Sequence, residues 1–293
     1  MERSHEHHLD PILADAPNAA PVVCNVGRVE RAATRVGEVQ AQAAEWREAM
    51  TDPVILDGGN ITLYCGDAME IMPTIPAGEC DCAIMDPPYV FASSSAGTKI
   101  SMWADTINNA RWFADLLRET ARIVRCGTLW MFTSWKTIAT LQKASHDADM
   151  PINSMVAWDK DWIGPGGVVG LRPSYEMIAL WCLGDKAIED RGIADVWKFP
   201  WSSRKPNGHP AEKPEALIER IIEVSTPQTI LDPFGGSGTV CAVAARHGIP
   251  AIGVELEDKW NAGAVKRIQT ELDLRDGQGP LMRQARLIGE PKP

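Results

Sequence analysis

The sequence predicts an α/β fold, a mostly parallel β-sheet with helices on both faces. Strand-like and helix-like segments alternate from residue 61 to residue 272, which is the pattern of strands joined by helical crossovers. Residues 229–255 form a compact strand–helix–strand unit, with an apolar run at 229–232, a helix at 239–247 closed by Gly248, and a second apolar run at 251–255. The chain has 293 residues, 45% of them hydrophobic and 23% charged, so it can bury a core without disulfide or metal staples. Length alone allows one large domain or two small ones.

In chain order, residues 1–27 are rich in Ala, Pro and His with no period and read as a mobile arm; His5, His7 and His8 belong to it. Val36, Val39, Ala43, Trp46 and Met50 recur at steps of three and four, predicting an amphipathic helix over 28–50. The main domain is expected over 54–272. Its strands are expected at 61–67, 80–86, 127–134, 152–159, 175–184, 229–232 and 251–255. Its helices are expected at 108–124, 136–149, 214–224 (Pro214 in the first turn), 239–247 and 258–272. A Gly/Pro-rich loop, IGPGGVVGLRP, separates the fourth and fifth strands, and residues 273–293 read as a tail.

The formal net charge is −10, which argues against a protein held on nucleic acid by bulk charge. Locally, residues 198–213 carry Lys198, Arg204, Lys205 and Lys213 against Glu212, a balance of +3. No run of about 18 apolar residues predicts a membrane span, and the first residues lack a signal-peptide layout. Seven scattered cysteines fit free thiols in a reducing cytosol. Cys80 and Cys82 lie inside a strand with no partner CxxC, so no metal is expected.

Two motifs carry chemistry. Asp86-Pro87-Pro88-Tyr89 follows an apolar strand and so sits at its carboxyl end, the edge where open α/β sheets bind ligands. The prolines stop the strand and leave backbone carbonyls free. An acid, a carbonyl and an aromatic ring then suit a planar ring bearing an amino group. Asp232-Pro233-Phe234-Gly235-Gly236-Ser237-Gly238-Thr239 joins a strand to a helix. Its glycines allow close approach to a ligand, and the helix start favours an anionic group. No Gly-Lys-Ser/Thr follows, which disfavours triphosphate hydrolysis. Glu255 ends the next strand, where an acid can bind ribose hydroxyls. This much fits either NAD or another adenosine cofactor.

DPPY together with DPFGGSGT resembles the S-adenosylmethionine-dependent amino-methyltransferases of DNA. The catalytic motif precedes the glycine-rich motif by about 146 residues, a circularly permuted order similar to the beta class of that family. The segment from His209 to Pro214, HPAEKP, resembles the family's HPxxKP. The resemblance spans 54–272 and implies a Rossmann-like methyltransferase fold with a seven-stranded sheet. It implies that Asp86 and the Pro87 carbonyl accept hydrogen bonds from the target amine, that Pro88 belongs to the same catalytic motif, and that Tyr89 stacks on a flipped base. Asp232, Phe234, Gly235, Gly236, Ser237, Gly238 and Thr239 would surround S-adenosylmethionine, with Glu255 on its ribose, Asp67 near its adenine and Lys213 toward its carboxylate. Val90 stands where many relatives have Asn.

Sequence readout on double-stranded DNA is expected in 185–208, through Trp201, Arg204, Lys205 and Asn207, with Trp197, Ser202 and Ser203 beside them; the loops 93–101 and 163–172 are second candidates. A short recognition segment suggests a homodimer sharing the duplex. The expected activity is methylation of the N6 amine of adenine in a prokaryotic or phage setting, with the N4 amine of cytosine as alternative, because DPPY is the commoner form among adenine enzymes. A nicotinamide oxidoreductase gives DPPY no task. A DNA-binding protein without catalysis leaves Asp86 and Tyr89 unexplained.

Overall fold

The computed structural model describes residues 52–87, 110–163, 171–188, 190, 192–201, 208 and 211–277. The arm at 1–27, the helix expected over 28–50 and much of the tail lie outside them. Fifteen elements follow in order: β1 Val54–Leu56, β2 Ile61–Cys65, α1 Ala68–Ile71, β3 Cys82–Met85, α2 Ala110–Val124, β4 Gly127–Thr133, α3 Ile138–Asp147, β5 Ser154–Asp159, β6 Tyr175–Leu183, β7 Val196–Lys198, α4 Glu215–Ser225, β8 Ile230–Asp232, α5 Thr239–His247, β9 Ala251–Glu255 and α6 Asp258–Arg275.

The strands form one sheet in the order β1-β2-β9-β8-β3-β4-β6-β5-β7. Nine strands replace the expected seven. The two additions are the edge strands β1 and β7, three residues each, which, unlike the equally short β8, do not run into a motif such as DPFGGSGT to mark a strand end. From β2 to β4 every pairing is parallel; β6 runs antiparallel to both its neighbours.

Strand β4 lies near the middle and is buried along its whole length. Its side chains alternate between two cores, as the two-residue period of a strand requires. Trp130 and Phe132 pack with Ile218 and Ile221 of α4 and Val243 of α5. Leu129 and Met131 pack with Leu116 and Leu117 of α2 and Leu141 of α3 on the opposite face. Buried tryptophans bring their own hydrogen bonds: Nε1 of Trp130 donates to Ser225 Oγ at 2.8 Å, and Nε1 of Trp158 to the Phe199 carbonyl at 2.8 Å.

β3 and β8 are adjacent and parallel, with Cys82 opposite Ile230. From β3 the chain continues to β4 on one side; from β8 it continues to β9 on the other. A crevice opens at the carboxyl ends of strands where the order reverses in this way. The two chemistry-bearing motifs follow these two strands, so the fold places side by side what the sequence holds far apart.

Candidate active site

A cavity of ≈ 460 Å³ lies at that reversal, within the size range of small-molecule sites. Ile84, Phe132, Ile218 and Val240 line its apolar part, and Trp112 and Phe234 stand in its wall with ring centroids 6.2 Å apart. Among the described residues, six acids line it, Asp67, Asp86, Glu212, Asp232, Glu255 and Glu257, against one lysine, Lys213.

The glycine-rich loop is folded by its own backbone. The Gly235 N–H donates to the Val254 carbonyl and the Gly238 N–H to the Gly235 carbonyl, both at 2.7 Å. A Cβ on Gly235 would stand 3.3 Å from the Val254 oxygen, so the loop lies close against β9. Glu255, at the end of β9, accepts from the Gly236 N–H at 2.7 Å and from the Glu257 N–H at 2.8 Å; two backbone donors aim its carboxylate. Asp232 is 3% exposed and accepts from the Phe234 N–H at 3.1 Å. Burial pushes its carboxyl up to about 8; the Phe234 N–H opposes the shift, and Asp86 and Glu255 add to it. Asp67 caps α1 by accepting from the Met69 N–H at 2.7 Å.

Gly238 is placed differently from the expectation. It has φ +73° and does not line the cavity; a Cβ there would come within 2.6 Å of the Ala264 side chain. Its smallness serves the contact between α5 and α6.

Across the cavity, Asp86 follows β3. Its Oδ2 accepts from Lys213 Nζ at 2.8 Å, while its Oδ1 is buried with no hydrogen-bond partner among the described residues. Burial pushes the Asp86 carboxyl up, the Lys213 ammonium pulls it down, and Glu176 adds to the rise. Burial works against the charge on Lys213, but Asp86 and Glu176 outweigh it and hold the ammonium above the usual lysine range. Lys213 Nζ also lies 3.5 Å from Glu176 Oε2 and 4.9 Å from the Phe132 ring centroid. Lys160 pairs with the other oxygen of Glu176. Lys213, expected near a cofactor carboxylate, is thus seated on Asp86.

Sequence reasoning missed Glu176, Glu212, Arg267 and Trp112. Glu176 had a signal, being the only charge in the apolar run of β6. Arg267 had none, since basic residues are ordinary on a helix such as α6.

Of the expected DNA contacts, Trp201 is described: its ring stacks on Trp162 at 4.3 Å between centroids, and Trp162 is 38% exposed. Trp197 belongs instead to the core, 6% exposed with its ring 5.6 Å from Trp130, because β7 carries it under the sheet edge. Pro88, Tyr89, Val90, Arg204, Lys205, Asn207, Ser202, Ser203, His209 and the loop 93–101 lie outside the described residues, as does most of 163–172.

The sequence model of the N6/N4 DNA methylases matches residues 80–266, and the chain belongs to this DNA methylase family. The type II methyltransferase M.ScaI of Streptomyces caespitosus is 25% identical over 286 residues, covering 80% of this chain and 89% of that protein. The DNA adenine methyltransferase YhdJ of Escherichia coli (strain K12) is 26% identical over 244 residues, covering 71% and 82%. Among solved structures, the M1.HpyAVI–SAM complex aligns with TM-score 0.54 at 22% identity over 71% of this chain and 99% of that one. The cytosine-N4-specific PvuII DNA methyltransferase aligns with TM-score 0.57 at 16% identity over 79% and 94%. At these identities the solved structures speak to the fold. Among the described residues no helix is long and apolar enough to cross a membrane.

Proposed function

We propose that this DNA methylase transfers a methyl group from S-adenosylmethionine to the N6 amine of adenine in duplex DNA, with Asp86 as the acceptor that orients the amine. The observation that carries the reading is Asp86 Oδ1, a buried acceptor without a donor among the described residues, in the same cavity as the glycine-rich loop. Leaving such an oxygen unpaired is costly, and an incoming N–H relieves the cost.

The charge of the cavity supports the cofactor. Among the described residues six acids line the cavity against one lysine. With the Asp232 carboxyl pushed up to about 8, Asp86 paired with Lys213 and Glu212 with Arg267, Asp67, Glu255 and Glu257 still leave it acidic. That disfavours a pyrophosphate such as that of NAD and favours a ligand bearing sulfonium and ammonium charges. Asp232 and the loop would hold the methionine part, Glu255 the ribose and Asp67 the adenine side. When bound, S-adenosylmethionine supplies the electrophilic methyl group.

The protein's own share is orientation and electrostatics. Asp86 Oδ1 and the Pro87 carbonyl accept the two amine N–H bonds and draw the amine out of conjugation with the ring. As the N–C bond forms and the S–C bond breaks, leaving S-adenosylhomocysteine, positive charge would develop on the nitrogen and be stabilised by the Asp86 carboxylate, and the nitrogen's surplus proton would then pass to water. Lys213 keeps that carboxylate in place through Oδ2. A stacked base cannot reach the bottom of the cavity, so the target is extruded from the helix, and Tyr89 would stack on it. Trp162, Trp201, Arg204, Lys205 and Asn207 would contact the duplex, with a homodimer gripping both sides and the enzyme acting in the cytoplasm. Adenine is favoured over cytosine by the DPPY form of the motif.

The test is to incubate the protein with plasmid DNA and methyl-labelled S-adenosylmethionine and to separate the digested nucleosides. Label in N6-methyladenosine is expected. Label in N4-methylcytosine would move the reading to cytosine, and label in neither would overturn it.

A further inference from the structure

Arg267 is a buried guanidinium on α6, in contact with two separate segments of the chain. Its Nη1 donates to Thr239 Oγ1 at 2.8 Å and lies 3.3 Å from both the carbonyl and the Oγ of Ser237. The same nitrogen is 3.3 Å from Glu212 Oε1, and Nη2 is 2.6 Å from Glu215 Oε1. The side chains of Arg267 and Glu212 are 6% and 5% exposed. Removing two such charges from water is expensive, and apolar residues of the same volume commonly serve stability as well or better. The ions therefore call for a reason other than stability.

That reason lies in what stands at each end. Ser237 and Thr239 belong to the glycine-rich loop. Glu212 is followed directly by Lys213, whose ammonium holds Asp86 Oδ2 at 2.8 Å. The loop and the catalytic acid hang from neighbouring strands, β8 and β3, and nothing in the sheet pairing sets their separation above the strand ends.

We propose that Arg267 and Glu212 form a buried strut that fixes the distance between the glycine-rich loop and the Lys213–Asp86 pair, making both positioning residues for methyl transfer. The planar fork of Arg267 suits this task, since it reaches the loop and both acids at fixed angles. Transfer needs donor and acceptor at roughly 3–3.5 Å, and an error of about 1 Å can cost on the order of 100-fold in rate. The inference rests on the S-adenosylmethionine reading of this cavity.

The test compares full-length wild type with Glu212→Gln, Arg267→Met and Thr239→Val, the last removing the shortest of the three loop contacts of Arg267. Three quantities are read: S-adenosylmethionine affinity by calorimetry, single-turnover transfer at saturating cofactor and DNA, and the urea midpoint. Glu212→Gln should slow transfer at least about tenfold while cofactor Kd moves less than about threefold. Thr239→Val should slow transfer in the same direction at an unchanged urea midpoint, which keeps the test open if Arg267→Met fails to fold. Transfer within about twofold of wild type in folded Glu212→Gln and Thr239→Val would overturn the strut. A wild type that neither binds S-adenosylmethionine nor transfers methyl would instead overturn the reading of the cavity.

Discussion

On the β8–β9 side of the cavity, one contiguous stretch, residues 232–255, supplies Asp232, the glycine-rich loop and Glu255. On the opposite side the wall is assembled from Asp86 after β3, Trp112 on α2, Phe132 on β4 and Lys213 before α4, with Glu176 of β6 behind them. The first side is held by short backbone hydrogen bonds within a strand–helix–strand unit. The second is held by side-chain charges from segments that meet only in the folded chain. A local motif is robust and readable, whereas an assembled site depends on every element that carries part of it.

The sharpest way to separate the two sides is to remove Asp86. Asp86→Ala should lower transfer by at least about 100-fold while calorimetric S-adenosylmethionine binding largely survives. Comparable loss of both would mean that the two sides are one site.

Next in size is a contrast within the loop. Gly236 lines the cavity with φ +51° and donates to Glu255. Gly236→Val should abolish cofactor binding, with a stability loss of about 1–2 kcal/mol from strain at φ +51°. Gly238→Val should lower stability further, by about 2–4 kcal/mol, because the clash with Ala264 adds to strain at φ +73°, while cofactor binding survives in the folded fraction. Circular dichroism melts with cofactor titration distinguish the two, and a stable Gly238→Val variant would reassign that glycine to the ligand.

A smaller effect should follow from Asp232. Its folded carboxyl sits at about 8 against an ordinary 3.8. The folded chain thus holds a proton that the unfolded chain has released, and stability falls as pH rises through that window and levels off above about pH 8. Asp232→Asn should melt above wild type, by a margin that widens from about pH 6 to pH 8, while losing cofactor affinity. A margin independent of pH would remove burial of the charge as the cause.

The smallest change belongs to the DNA surface. Arg204→Ala with Lys205→Ala should reduce the salt slope of duplex binding by about one to two, with cofactor affinity unchanged. Trp162→Ala should cost about 1–3 kcal/mol of DNA binding if the exposed stack receives a base. Filter binding across salt concentrations reads both, and an unchanged slope would move the contact elsewhere, to 93–101 first.

Most of the sheet was legible, because apolar runs bounded by Gly, Pro and acids leave a signal wherever a strand exceeds about four residues. α5 and β9 were expected at the bounds they have, whereas α6 runs on to Arg275 and α1 was not expected at all. The short α1 leaves too few residues for a helical period, although Asp67 before it was placed in the cavity for another reason.

By itself the sequence determined the α/β class, the two motifs and their order, and the placement of Asp86, Asp232 and Glu255 at strand ends. Each follows from residues within one turn or one strand, where spacing dictates geometry. Only the tertiary structure decided that Lys213 pairs with Asp86, that Gly238 serves helix packing, that Trp197 is core, and that Arg267 joins the loop to Glu212. In those cases the partner lies 26 to more than 100 residues away along the chain, and burial, which sets both the strength of a charge pair and the cost of a misplaced methyl group, exists only once the sheet has brought them together.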